Sequence, residues 1–135
     1  MDKALEELVR RRAGHLCEFC RMPQALYLTH FPIDHIIAQQ HGGPTIADNL
    51  ALACYRCNLH KGPNIASLDP LSGQLLVPLF HPRCDRWEDH FEWQGPMLIG
   101  RTPVGRATIN VLAINHPDYF GVREELIEEG LFPPG

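Results

Sequence analysis

The sequence predicts an α+β fold stapled by one metal site, and three observations carry that reading. Two Cys-x-x-Cys pairs lie 33 residues apart. Apolar residues recur at helical spacing near both ends of the chain, and segments rich in β-branched and aromatic residues lie between them. The length of 135 residues suits one domain with a modest core, one that a metal staple would help to hold. With 44% hydrophobic and 21% charged residues, the composition excludes a disordered chain. No apolar run approaches the ~20 residues needed to cross a bilayer. The charged start, MDKALEELVRRR, lacks the apolar core of a secretory signal, so a cytoplasmic location is expected.

The elements follow in order. Residues 2–13 read as a helix, with Leu5, Leu8 and Val9 on one face, Asp2 as cap and Gly14 as stop. Arg10, Arg11 and Arg12 fall in its last turn, where the dipole favours cations; the run is either a solvated helix end or a phosphate-contacting patch. Residues 26–37 predict a strand or hairpin arm bent at Pro32. His41-Gly42-Gly43-Pro44 predicts a loop, and Thr45 or Asp48 a cap for a helix through residues 49–53. Residues 54–61 predict a tight turn resuming as helix, stopped by Gly62-Pro63. Beyond a loop at 64–74, strands are expected at 75–80, 91–99 and 104–114, then a terminal helix over 118–129 stopped by Gly130. Trp87, Phe91 and Trp93 are expected to cluster in a hydrophobic core, with His90 and Arg83 buried or solvated nearby rather than on a ligand.

The cysteines define a site. Cys17, Cys20, Cys54 and Cys57 supply four thiolates, a soft tetrahedral set that suits a structural Zn²⁺ and leaves no open position for chemistry. Disulfides are disfavoured where no secretory signal is visible, and a thioredoxin-like site needs one pair rather than two. Cys84 is left over and reads as a small buried hydrophobe.

Between and after the knuckles stand Asp34-His35-Ile36, Gly42-Gly43, Asn49-Leu50 and Cys57-Asn58-Leu59-His60-Lys61-Gly62. This string, CxxC…DHI…GG…NL…CxxCNxxKG, resembles the HNH endonuclease family in its zinc-stapled form, with Asn58 at a position that is often His. The resemblance covers residues ~10–64. It implies a ββα-metal core over residues 1–66, with residues 67–135 as a small β-rich extension ending in a helix. It also implies a nuclease cutting or nicking nucleic acid, DNA before RNA, to leave a 5′-phosphate and a 3′-hydroxyl. His35 would be the general base, since an imidazole titrates near neutral pH. Asp34 and Asn58 would hold one Mg²⁺ or Mn²⁺ through hard oxygen atoms. Asn49 would position the loop that carries the base, its carboxamide bridging backbone groups. Lys61 and Arg56, with Arg10, Arg11 and Arg12, would supply nucleic-acid contacts. Adjacent residues on a strand point to opposite sides, so either Asp34 and His35 serve different sides of the phosphate or the strand distorts there; the resemblance implies the first. A catalytically inactive zinc module that grips nucleic acid or protein is the alternative.

Charge is divided unevenly. Residues 1–62 carry seven Lys/Arg against six Asp/Glu, a net of +1; residues 63–135 carry five against ten, a net of −5. The overall −4 therefore belongs to the second half. It speaks against binding nucleic acid over the whole surface, and the half with the motif string is the less acidic one.

Overall fold

The computed structural model describes residues 1–134. Helix α1 (Lys3–Arg12) starts where the Asp2 carboxylate accepts from the Ala4 amide, and ends at Ala13 ahead of Gly14, whose φ of 64° suits glycine. Val9 on its inner face is completely buried and the helix lies against β2 (Leu50–Leu52). That strand pairs antiparallel with β1 (Ile33–His35), Asp34 opposite Ala51. Helix α2 (Tyr55–Lys61) follows β2 directly, with Cys54 as its N-cap. Residues 33–61 thus form a β-hairpin with a helix on its second arm.

Two expectations in this half are corrected. Residues 26–32 form no strand: a 3₁₀ turn at Gln24–Leu26 leads into a loop on which Leu28 is fully exposed. Side chains satisfy that backbone where a strand partner would. Phe31 N donates to Gln24 Oε1 at 2.9 Å, and Arg10 donates to Phe31 O at 2.7 Å. Residues 49–53 are not helical either. Ala47–Asn49 is a 3₁₀ turn and Leu50, Ala51 and Leu52 are a strand buried on both faces, so the continuous apolar run carries no alternation to mark it. Neither Thr45 nor Asp48 caps a helix there.

The second half is more helical than expected. Strands β3 (Ala66–Ser67) and β4 (Val77–Pro78) form one two-residue pair, so the strand foreseen at 75–80 shrinks to two residues, with Leu75 and Leu76 exposed. A short helix α3 (Trp87–His90) leads into the hairpin of β5 (Phe91–Gln94) and β6 (Met97–Gly100). The strand expected at 104–114 is instead helix α4 (Pro103–Leu112). Thr102 Oγ1 caps it by accepting from Gly105 N at 3.1 Å, and Pro103 fits the first turn. Helix α5 (Pro117–Glu128) is the last helix, close to the expected bounds, and is followed by a tail whose Phe132 packs on Trp93. The extension is thus not β-rich, and Cys84 is exposed rather than buried.

One hydrophobic core runs through both halves. Helix α4 packs on α2, β3, β4 and β6. The aromatic cluster forms around Trp87, Phe91 and Trp93 as expected, and Phe80 links it to Phe19 of the first knuckle at 6.2 Å between ring centres. Such edge-on pairs contribute ~0.5–1.5 kcal/mol each beyond burial. His90 Nδ1 meets Thr102 Oγ1 at 2.6 Å, inside the fold rather than at a ligand site. Among the described residues, no helix is long and apolar enough to cross a membrane.

Candidate active site and metal centre

The two knuckles meet at the start of α2. Cys17, Cys20, Cys54 and Cys57 are all buried, free thiols, with their sulfurs within 4.8 Å of one another. Cys20 Sγ and Cys54 Sγ lie 3.7 Å apart. A tetrahedral zinc with ~2.3 Å bonds to sulfur needs edges of about 3.8 Å. Backbone amides already point at two sulfurs: Cys20 N at Cys17 Sγ (3.5 Å) and Cys57 N at Cys54 Sγ (3.4 Å). Hydrogen bonds from Cys17 and its neighbours hold Cys54 far below the usual thiol range, while Cys20 and Cys57 are pushed up. A buried quartet of this kind fits a structural Zn²⁺.

On β1, Asp34 is buried and its neighbour His35 is half-buried, as the strand's alternation requires. His35 Nε2 lies 2.9 Å from Thr45 Oγ1, which also receives a long hydrogen bond from Gln39 Nε2 at 3.4 Å. Thr45 was expected only as a helix cap. Its use on the imidazole carries no sequence signal beyond a hydroxyl in the loop after the histidine.

Asn49 ties that loop shut. Its Oδ1 accepts from Ile37 N at 2.9 Å, and its Nδ2 donates to Ile37 O at 3.0 Å and Pro44 O at 2.8 Å. Its backbone carbonyl accepts from Ile36 N at 2.8 Å. Gly43 is required in the same place: a Cβ there would stand 1.7 Å from Ile37 O.

Asp34 turns inward to α2. Its Oδ2 lies 3.0 Å from Lys61 Nζ, off the line of a hydrogen bond, and the aligned contact runs to Oδ1 at 3.4 Å. Burial raises the Asp34 pKa and the Lys61 ammonium opposes that rise. Asn58 stands three residues before Lys61, hence on the same side of α2, half-buried and hydrogen-bonded through its side chain to no described residue. An inward carboxylate oxygen without an aligned donor, and a free carboxamide on the facing helix, suit a hard divalent cation.

The basic residues divide into buried or backbone-bound ones and exposed ones. Lys61, foreseen on a phosphate, is 2% exposed and spent on Asp34 and the backbone. Arg10 and Arg12 clamp backbone carbonyls, Arg12 reaching Leu50 O at 2.8 Å. Arg11 is exposed, and Arg56 lies 3.4 Å over the ring of Tyr119 on α5. Glu18, inside the first knuckle, was missed as a structural residue: it pairs with Arg83 and accepts from Leu52 N at 2.8 Å.

No curated protein and no solved structure matches this chain. Residues 17–64, from the first knuckle to just past the end of α2, match the model of the HNH endonuclease family that the motif string resembles.

Proposed function

We propose that the chain is a metal-dependent HNH-type endonuclease that hydrolyses phosphodiester bonds of DNA. The observation that supports this most is the arrangement on β1: a half-buried imidazole held by Thr45 beside an inward carboxylate facing α2. If Nε2–H of His35 donates to Thr45, the lone pair resides on Nδ1. His35 Nδ1 then takes the proton of the water that attacks phosphorus. Thr45 and Gln39 fix the ring, and the Asn49 clamp fixes the loop carrying Thr45. Asp34 and Asn58 would hold Mg²⁺ or Mn²⁺, which supplies charge for the phosphorus oxygens and the leaving oxygen. Zinc on the four cysteines would hold the frame. Among the arginines of the matched half, Arg11 and Arg56 are exposed and bound to no backbone carbonyl, so affinity for DNA is expected to be modest and strongly salt-dependent.

Supercoiled-plasmid nicking with Mg²⁺ or Mn²⁺ tests the reading. His35→Ala should lose about a hundredfold or more in rate, the usual contribution of a general base, with zinc content unchanged. Equal rates for His35→Ala and the wild type would sink the mechanism. The Lys61 ammonium against Asp34 favours a second reading, a zinc-stapled module that binds nucleic acid without cutting it. Absence of nicking by a folded, zinc-loaded wild type would select that reading.

A further inference from the structure

Lys61 is the longest buried side chain in the molecule's matched segment, and the mechanism above makes no use of it. A lysine is almost never fully buried without a partner. Here the ammonium meets four oxygens: Asp34 Oδ2 at 3.0 Å, Asp34 Oδ1 at 3.4 Å, Ile36 O at 3.0 Å and His35 O at 3.4 Å. Two of these contacts are therefore to backbone carbonyls of the strand that carries the candidate base, or of its immediate continuation. The other two are to the carboxylate assigned to the divalent ion. From the helix side, Gly62 N caps back onto Asn58 O at 3.1 Å, so the turn of α2 that carries Lys61 also carries Asn58.

We infer that Lys61 is a positioning residue with two opposed effects: it pins His35 and Ile36 through their carbonyls, and its charge competes with the divalent ion for Asp34. The inference rests on the proposed metal site. Two cations sharing one buried carboxylate repel each other, and in a protein interior that repulsion is poorly screened. Metal affinity is then weaker than Asp34 and Asn58 alone would give. The gain is a fixed base, whose distance from the reacting water governs rate. Removing the ammonium should therefore move binding and turnover in opposite directions. A lysine that merely filled the core would, when removed, weaken both.

The test is Lys61→Met, which keeps an unbranched chain one atom shorter and removes the charge, read by Mn²⁺ titration of the zinc-loaded protein and by plasmid nicking. Mn²⁺ binding should tighten about threefold or more, since one unit of nearby positive charge is gone. The turnover rate kcat should fall about tenfold or more as the strand loosens. Mn²⁺ should also raise the melting temperature more in Lys61→Met than in the wild type, because the ion then neutralises an otherwise unpaired carboxylate. Unchanged or weaker Mn²⁺ binding by folded Lys61→Met overturns the inference. If Lys61→Met does not fold, Lys61→Gln is measured the same way and decides it by the same criterion. Asp34→Asn separates this from the metal site itself. Mn²⁺ binding that survives Asp34→Asn unchanged overturns the site and the inference together. Mn²⁺ binding that is lost in Asp34→Asn and unchanged in the Lys61 variant overturns the inference alone.

Discussion

Asn49 carries more of the site than its size suggests. One buried carboxamide closes the loop from Ile37 to Pro44 with three hydrogen bonds, and its backbone carbonyl adds a fourth contact at Ile36. Each such bond contributes about 1 kcal/mol net, and a buried group left unpaired costs about 1–3 kcal/mol. Asn49→Ala strands Ile37 N and the two carbonyls at once, so a loss of about 3 kcal/mol is expected by urea denaturation. Asn49→Asp is a sharper probe: it keeps the acceptor for Ile37 N and turns both donor contacts into repulsions between oxygens. It should be no better than the alanine variant, whereas a role confined to size would let aspartate rescue. Gly43 obeys a different rule in the same loop, since any side chain there collides with Ile37 O. The sequence marks both residues, Gly43 as one of a glycine pair and Asn49, through the family resemblance, as a carboxamide bridging backbone groups of the loop. What each one touches depends on the return of the loop to Ile37, which no local pattern encodes.

Helix α4 shows how one element escapes a period-based reading. Its segment alternates apolar and polar residues well enough to predict a strand, yet Val104, Ala107, Thr108, Val111 and Leu112 also fall on one helical stripe. The tie is broken at the start of the segment. Thr102 caps the first turn, Pro103 is preset for it, and Gly105 lets the helix approach the end of α3: a Cβ there would stand 2.1 Å from His90 O. Thr102→Ala removes the cap and leaves the His90 Nδ1 contact unmet, so a loss of about 1–2 kcal/mol is expected in thermal or urea unfolding. Thr102→Ser keeps the oxygen and should recover most of it. Helices α1, α2 and α5 were legible because each has a stop in the sequence, and α1 a cap as well. Strand β2 was not, because burial on both faces erases alternation. The knuckles were legible outright, since thiolate spacing is a local property of the chain.

At the scale of the whole molecule, the matched segment and the extension depend on each other. Trp87 Nε1 donates to Phe19 O at 2.8 Å within the first knuckle. Arg83 pairs with Glu18 of the same knuckle, and Glu18 in turn holds Leu52 N of β2. Arg21, just after the knuckle, lies 5.0 Å over the Trp87 ring, and Arg56 of α2 covers Tyr119 of α5. Helix α4 lies on α2, the element that supplies Cys57, Asn58 and Lys61. A chain cut after residue 66 would expose Phe19 and leave Glu18 without its cation. The division at 66 therefore separates a motif from its support more than one domain from another. We expect residues 1–66 alone to bind zinc through all four cysteines and yet to lack a cooperative thermal transition, because metal ligation is local and the core is shared. Calorimetry of the zinc-loaded fragment, beside the full chain, checks this. A sharp transition near that of the full chain would show that the segment folds without the extension. Arg83→Met in the full chain grades the same dependence. It removes the partner of a mostly buried carboxylate, so a loss of about 3 kcal/mol is expected. The loss should appear in the stability of the whole molecule while the zinc stoichiometry stays at one.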